Sequence, residues 1–402
     1  MPSTRILKIL DKVIGGFLSL LLLPFLKITR LRCYSHPNKT KRLENRLLVV
    51  KLWAIGDSIL LLPTLKALRL HFPSARISIL ATEQNSEVFR GFSCIDDVIE
   101  LNIRSFGGMF LSIFRTVVEL RKRRFEVVID AEPFTYFSAI LACTSKAPNT
   151  IGFKGSNEIK SYLYDTAVSF EHGDHAVHRY LSLLRPLGVL FSTIRLERIS
   201  TTDDDEKYAE SILAKESYID VRRPKIGVYP GPFATVSERQ WPTSNFVELC
   251  DTLCEREHNV ILVGSKSEEP YIFNCVSQKM RYHPVILAGK TTIKQLAALM
   301  ENLDLFVSSD SGPLHIASAM GIPTVALFGP GDPACYGPLD KQSILLYKKP
   351  MCGPCIDSFK GYARNCKEKT CMRTITVEKV LFSIERILDQ NRMLHNQVLD
   401  DS

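Results

Sequence analysis

The stretch SSDSGPLHIASAMGIPTVALFGPGDP, residues 308–333, spaces its polar residues in a way that suits the binding of an anion. Asp310 follows an apolar run that predicts a buried strand. Ser311 or Gly312 can cap a helix that begins at Pro313, because proline lacks an N–H and its fixed φ suits the first helical position. The unpaired amides of such a helix start attract phosphate groups. These residues predict either a diphosphate site or an ordinary turn from strand to helix.

Alternating strand and helix patterns surround this stretch and determine where its polar residues lie. In the first half, the patterns predict strands at 46–52, 76–82 and 125–131 and helices at 58–71 and 109–122. In the second half, they predict strands at 225–230, 259–265, 285–289, 305–310 and 323–329, and a closing helix at 376–392. Such alternation is typical of parallel sheets that are covered by helices on both faces.

The chain is long enough for two domains, since it has 402 residues and 45% of them are apolar. An acidic, polar segment at 200–224 marks the boundary between them. The predicted organisation is a basic apolar leader at 1–45, Rossmann-like domains at 46–205 and 222–375, and a closing helix and tail at 376–402. Ligands of open α/β sheets bind beyond the carboxyl ends of the strands, so we expect the two sheets to face each other across a ligand cleft.

Residues that could serve such a cleft directly follow predicted strands. Asp57 follows the first strand of the chain, and Gly231 follows the first strand of the second half. Glu268 and Asp310 follow two later strands of that half. Their common placement favours a binding site more strongly than any one of these residues does.

The positive charge of the chain is concentrated in the leader. Residues 1–46 contain ten Lys or Arg and two acids, whereas the remainder contains 41 basic and 41 acidic residues. A neutral body with a basic leader argues against a nucleic-acid-binding surface and favours attraction to anionic lipid. The leader also contains VIGGFLSLLLLPFL (13–26), which is shorter than the roughly 20 residues of a spanning helix. Its polar residues recur at helical spacing, so we expect a helix lying in the membrane interface, with an uncleaved signal or a short span as alternatives.

The eleven cysteines indicate reduced, cytosolic thiols, since most of them lie apart from any framework. Four are spaced C-x2-C-x10-C-x4-C, at Cys352, Cys355, Cys366 and Cys371. A zinc site, a local disulfide or buried thiols would each account for these four residues, and the last gap is wider than that of a usual zinc knuckle.

The chain resembles glycosyltransferase family 9, the family of the lipopolysaccharide heptosyltransferases. The resemblance rests on LLVVKLWAIGDSILLLPTLKALR (47–69), HAVHRYLSLLRPLGV (175–189), LVGSKSEE (262–269) and the stretch at 308–333, in the family's order. It implies the GT-B fold, which pairs an acceptor domain with a nucleotide-sugar domain. It also implies inverting, metal-independent transfer from a nucleotide sugar, with no further cofactor.

The resemblance assigns the general base to Asp57 in AIGDS, where one carboxylate takes the proton of the acceptor hydroxyl. A helix N-cap is the alternative role for Asp57. Gly56 would let the backbone approach the sugar, on the acceptor side. The residues assigned to the donor's diphosphate, ribose and sugar are Gly231, Arg239, Glu268, Thr291, Asp310, Ser311, Gly312 and His315. The alternatives are a helix cap for Asp310, an exposed surface acid for Glu268 and a core histidine for His315. Arg239 stands where the family has a Lys that reaches the phosphates, and an Arg keeps that charge.

The third predicted strand of the first half departs from the family's pattern. The family commonly has IDxQG or IDxHG there, whereas this chain has IDAEPFTYFSA (129–139). Glu132 and Tyr136 are therefore acceptor-side candidates, and an aromatic face suits either sugar stacking or core packing. The departure weakens any claim that the acceptor is the anionic inner core of lipopolysaccharide.

The resemblance implies a glycosyltransferase that acts on a lipid-linked or polysaccharide acceptor, with ADP-heptose as the donor by analogy. The expected location is peripheral, on the cytoplasmic face of the cytoplasmic membrane. The alternative is a membrane-attached, non-catalytic protein that binds nucleotide sugars or holds zinc at its cysteines. An NAD- or flavin-dependent oxidoreductase is disfavoured, because no G-x-G-x-x-G follows a predicted strand.

Overall fold

A computed structural model of the protein describes residues 11, 15–17, 19, 21, 46–103, 106–154, 158–169, 173–191, 195–216, 219–231, 237–357, 362–363 and 366–400. The chain divides into two compact units, and the second begins at Arg195. Each unit contains one six-stranded parallel sheet, which confirms the predicted α/β class. The two sheets share one strand order, in which the unit's first strand pairs with its second and its fourth.

The sheet of the first unit has the order β3-β2-β1-β4-β5-β6. Its strands are β1 (Arg46–Val50), β2 (Arg76–Thr82), β3 (Asp97–Leu101), β4 (Val127–Asp130), β5 (Asn149–Lys154) and β6 (Thr166–Ser169). The central strands β1 and β4 are buried on nearly every residue, because helices cover both faces of the sheet.

The helices of the first unit follow its strands. They are α1 (Ile55–His71), α2 (Glu83–Phe89), α3 (Phe106–Arg123), α4 (Tyr136–Thr144), α5 (Glu158–Ser161) and α6 (Ala176–Ser182). Since the strands are parallel, the helices that follow them begin at the carboxyl edge of the sheet. Asp57 on α1 and the first turns of α3 and α4 therefore lie at that edge.

The sheet of the second unit has the order β12-β11-β10-β7-β8-β9. Its strands are β7 (Lys225–Tyr229), β8 (Asn259–Leu262), β9 (Val285–Ile286), β10 (Leu305–Ser309), β11 (Thr324–Phe328) and β12 (Ile344–Tyr347), and a separate hairpin pairs β13 (Ile356–Asp357) with β14 (Tyr362–Ala363). Trp241 is fully buried in the core of this unit, and its Nε1 donates a 2.8 Å hydrogen bond to the Ile375 carbonyl.

The first helix of the second unit lies within the segment 200–224 that was predicted as the domain boundary, and the last helix is the longest of the unit. They are α7 (Asp203–Ala214), α8 (Thr243–Glu255), α9 (Glu269–Tyr271), α10 (Ile293–Met300), α11 (Gly312–Met320), α12 (Pro333–Tyr336), α13 (Thr370–Arg373) and α14 (Val377–Asp400). Short helical turns also cover Ile272–Val276, Ser277–Lys279 and Ser237–Arg239.

Four strands of the two large sheets were not predicted from the sequence, namely β3, β5, β6 and β12, and all but β5 lie at a sheet edge. β3 and β6 include polar residues and therefore lack the continuous apolar run that marks a central strand, whereas β12 is a short apolar run whose residues are all partly or fully exposed. Most of the predicted leader helix lies outside the described residues. Among the residues that are described, no helix combines the length and apolar character needed to cross a membrane.

Candidate active site

Asp57 lies in the first turn of α1, immediately beyond β1. The helix begins at Ile55, three residues earlier than predicted, so Ala54 and not Asp57 occupies the N-cap position. Ala54 has a φ of 65°, in the left-handed region that L-residues rarely adopt. Asp57 and Gly56 are both partly exposed. A carboxylate in the first turn lies near the positive end of the helix dipole.

The segment that leads into α1 is held by a buried carboxylate from the end of β4. Glu132 is 4% exposed, and its Oε1 accepts hydrogen bonds from the amides of Leu52 and Trp53, each at 2.8 Å. The same oxygen lies 3.0 Å from the Lys51 ammonium, which is also buried. Burial raises the pKa of the Glu132 carboxyl, and the neighbouring Lys51 charge opposes that rise. Glu132 therefore fixes the backbone just before Asp57.

A second buried ion pair lies beside the first. Asp130 Oδ2 is 3.4 Å from the Lys160 ammonium and accepts hydrogen bonds from the hydroxyls of Ser138 at 2.8 Å and Tyr164 at 2.5 Å. Lys160 also donates to the carbonyl of Glu132, which connects the two pairs. Two buried lysines thus balance two buried acids at the carboxyl ends of β1 and β4, as burial of charge requires.

Tyr136 is packed inside the first unit. Its side chain is 5% exposed and lies against Gly15, where an added Cβ would approach the Tyr136 Cβ to 2.8 Å. Asp11 accepts hydrogen bonds from the amides of Tyr136 and Phe137 at 3.0 and 2.8 Å, so a leader carboxylate caps α4. Burial raises the pKa of Asp11. Tyr136 and Glu132 therefore lie beneath the surface, a placement that favours indirect roles over direct contact with an acceptor.

The start of α11 has the geometry that the sequence analysis predicted from its composition. Ser311 is the N-cap, and its hydroxyl accepts a 3.4 Å hydrogen bond from the Leu314 amide. The Ser308 hydroxyl lies 2.8 Å from the Ser311 hydroxyl and supports it from below. Gly312 and Pro313 form the partly exposed first turn. A helix start of this kind offers amide donors and a positive dipole to an anion.

Arg239, Asp310 and His315 lie together at this helix start. Arg239 Nε is 3.1 Å from Asp310 Oδ2, and His315 Nε2 is 4.0 Å from Asp310 Oδ1. The first distance is that of an ion pair, yet neither Arg239 Nε nor Asp310 Oδ2 completes a directed hydrogen bond within the described residues. An added Cβ at Gly331 would meet Asp310 Oδ2 at 2.9 Å, so glycine lets the turn after β11 pass close to this carboxylate. These polar atoms retain hydrogen-bonding capacity for a ligand.

The other predicted donor residues lie on separate loops of the second unit. Glu268 is partly exposed and accepts hydrogen bonds from the Tyr229 hydroxyl at 2.6 Å and from the Ser265 amide and hydroxyl, both at 2.8 Å. Gly231 has a φ of 83°, a conformation that favours glycine. Thr291 directly precedes Thr292, the N-cap of α10, and is partly exposed.

Lys51, Asp130, Lys160 and Tyr164 of the buried ionic network were not predicted from the sequence as site residues. Lys51 and Asp130 each end an apolar strand, and a charge in that position is a signal that could have identified them. Lys160 and Tyr164 lie in a mixed segment that carries no such signal.

The cysteines are unpaired thiols in the part of the chain that is described. Burial raises the pKa of Cys355 and of Cys371, whereas Cys352 is exposed. Within the described ranges, no group of three or more His, Cys, Asp or Glu side chains is arranged to hold a metal ion.

Comparison with known proteins identifies relatives of the whole two-unit chain. The family described as glycosyltransferase family 9 (heptosyltransferase) matches residues 113–363. The lipopolysaccharide core heptosyltransferase OpsX of Haemophilus influenzae is 24% identical over 351 residues, which cover 85% of this chain and 96% of that protein.

Two solved structures are similar along nearly their full length. The glycosyl transferase family 9 protein of Veillonella parvula has a TM-score of 0.73 at 25% identity, covering 86% of this chain and 97% of its own. E. coli ADP-heptose LPS heptosyltransferase II has a TM-score of 0.69 at 21% identity, covering 86% of this chain and 99% of its own. The predicted GT-B fold class is thereby confirmed, and the chain belongs to glycosyltransferase family 9 and is a glycosyltransferase.

Proposed function

We propose that the protein is an inverting, metal-independent heptosyltransferase that uses ADP-heptose and acts on lipopolysaccharide or another lipid-linked saccharide. The relatives support this substrate pair, since one is a lipopolysaccharide core heptosyltransferase and another is an ADP-heptose LPS heptosyltransferase. The observation that carries the proposal is the start of α11, where the Ser311 cap lies beside the Arg239–Asp310 pair.

The donor diphosphate is assigned to the second unit. The leaving diphosphate gains negative charge in the transition state, so donors fixed around it stabilise that state more than the ground state. The amides at Gly312 and beyond supply such donors, and the Arg239 guanidinium supplies a permanent positive charge. These protein groups take the role that a metal ion has in other transferases. Asp310 and His315 orient the Arg239 guanidinium and the sugar. The remaining contacts to the donor are assigned to Gly231, Glu268 and Thr291.

The general base is assigned to Asp57. In an inverting transfer, one carboxylate removes the acceptor proton as the hydroxyl oxygen attacks the anomeric carbon and the bond to the diphosphate breaks. The first turn of α1 leaves Asp57 partly exposed, as a base that receives the acceptor proton requires. Gly56 leaves room for the acceptor, whereas Glu132 and Tyr136 act through the segments that they hold.

The leader is assigned to the cytoplasmic face of an anionic membrane. Its nine Lys and Arg residues favour anionic phospholipid, and each contributes about 1 kcal/mol near such a surface. A lipid-linked acceptor would be found at that surface, so peripheral attachment raises its local concentration.

An Asp57→Ala variant tests the proposal. We expect ADP to bind with unchanged affinity while transfer from ADP-heptose falls by about 10²- to 10⁴-fold, the usual contribution of a positioned base. Asp204→Ala is the matched control, because Asp204 is an exposed first-turn carboxylate of α7. Calorimetry measures ADP binding, and mass spectrometry of the acceptor measures transfer. Equal transfer rates for Asp57→Ala and the parent would show that Asp57 is not the base.

A further inference from the structure

Helix α3 presents large apolar side chains to solvent in its first half. Phe110 is 70% exposed, Phe114 is 66% exposed and Leu111 is 50% exposed. The inward face of the helix is packed against the protein, because Ile113 and Val117 contact the core of the first unit. Phe110, Leu111 and Phe114 therefore do not contribute to the core of this unit. Clusters of exposed apolar side chains of this kind indicate an interaction surface.

The outward face of α3 is basic as well as apolar. Arg115 and Lys122 are exposed on the helix, and Arg124 is exposed just beyond it. The acid of the helix, Glu119, is engaged with Arg123 in an i,i+4 ion pair. The outward face of α3 thus carries apolar side chains in its first half and basic side chains beside and beyond them, a combination that suits contact with both the hydrocarbon boundary and the phosphates of a membrane.

The apolar half of α3 lies at the same sheet edge as the proposed base. α3 follows β3 and α1 follows β1 in one parallel sheet, so the first turns of both helices are at its carboxyl edge. The leader also reaches this edge, because Asp11 caps α4, which packs against α3. Phe17 of the leader is 62% exposed there. The leader and α3 thus each expose aromatic side chains.

We propose that the outward face of α3 docks on an anionic phospholipid surface, with Phe110, Leu111 and Phe114 inserted between the headgroups and Arg115 and Lys122 at the lipid phosphates. Charge complementarity selects this occupant, since basic side chains border the apolar group and phosphates border the hydrocarbon of a bilayer. This inference rests on the proposed function and extends it. Contact of α3 with the membrane would orient the carboxyl edge of the first unit's sheet, where Asp57 lies, toward a lipid-linked acceptor.

Tryptophan substitution in the full-length protein locates the inserted face directly. Phe110→Trp places a fluorophore on α3, and Phe382→Trp is the control, because Phe382 is 71% exposed on α14 of the other unit. The native Trp53 and Trp241 are common to both variants. Vesicles of phosphatidylethanolamine and phosphatidylglycerol, with bromine on the acyl chains, should quench Phe110→Trp and shift its emission to the blue. Quenching no greater than that of Phe382→Trp would overturn the proposal and would leave a protein partner as the occupant of this face.

A double variant measures the energetic contribution of the face. Phe110→Ser with Phe114→Ser should lower the vesicle partition coefficient by at least about tenfold, because each phenyl ring loses the free energy of transfer from water. Phe382→Ser should leave the coefficient unchanged, and thermal melting verifies that every variant is folded. An unchanged coefficient in the double variant would contradict the proposal. Neither vesicle experiment contains donor or acceptor. A negative result would therefore contradict membrane docking by α3 without contradicting the proposed transfer reaction.

Discussion

The Lys51 ammonium and the Glu132 carboxylate lie 3.0 Å apart with side chains only 1% and 6% exposed, and they join the end of β1 to the end of β4. The same Glu132 oxygen also accepts the amides of Leu52 and Trp53. One buried atom therefore fixes the backbone that turns into α1, four residues before Asp57.

Replacing Glu132 with Gln should destabilise the first unit, because the Lys51 charge would remain buried without its partner. We expect a loss of about 3–5 kcal/mol in the free energy of unfolding, measured by urea titration. Glu100→Gln is the control, because the Arg90–Glu100 pair is largely exposed and should contribute less than about 1 kcal/mol. A Glu132→Gln variant as stable as the control would show that the pair is not needed to hold this segment.

Replacing Arg239 with Ala should weaken ADP binding, because the guanidinium at Asp310 is proposed to reach the diphosphate. We expect the dissociation constant to rise by about 10- to 100-fold, as for loss of a charge-assisted hydrogen bond. Arg239→Lys should retain most of the affinity, since it keeps the charge. Arg281→Ala removes an exposed arginine paired with Glu255 and should bind ADP normally. Unaltered ADP affinity in Arg239→Ala, measured by calorimetry, would rule out the assigned role.

Replacing Gly152 with Ala should disturb the buried network through Tyr164. A Cβ at this position of β5 would lie 2.3–2.6 Å from atoms of the Tyr164 ring, whose hydroxyl bonds to Asp130. We expect a loss of about 1–3 kcal/mol of stability by overpacking. Tyr164→Leu provides room, so the cost of Gly152→Ala should shrink in that background, and a double-mutant cycle measures the coupling. Additive effects in the cycle would argue against this contact.

His258 should make the second unit less stable in mild acid. Its side chain is 7% exposed, and burial lowers its pKa below the ordinary 6.5, although Glu385 lies 3.6 Å away and opposes the shift. The unfolded state therefore binds a proton more readily than the folded state. Stability is retained above pH 6.5 and falls, by up to about 1.4 kcal/mol per pH unit, as the pH drops from 6.5 toward the folded pKa.

A His258→Gln variant isolates this effect, since it shares all other titrating groups with the parent. The parent should lose more stability than the variant between pH 8 and pH 5.5, measured by urea unfolding at both values. Parallel losses in the two proteins would show that folding does not lower the pKa of His258.

The sequence by itself determined the class of fold and the nature of the α11 start. Strand and helix periodicity are local properties, so the central strands and the two-unit division could be inferred from runs of a few residues. Ser311, Gly312 and Pro313 are neighbours in the chain, and their capping chemistry depends on no distant contact. The edge strands β3 and β6 could not be inferred, because their polar residues interrupt the apolar pattern that marks a strand.

Only the tertiary structure decided which charges meet. Lys51 and Glu132 are 81 residues apart, and Arg239 and Asp310 are 71 residues apart. The order of the strands in each sheet brings the members of each pair together. These pairs could not be predicted, because a periodic pattern identifies a strand but not the strands that lie next to it. The tertiary structure also decided which aromatic side chains are buried. Tyr136 at the start of α4 is buried, whereas Phe110 and Phe114 on α3 are exposed. Burial depends on what packs against a helix face, and that information lies in other parts of the chain.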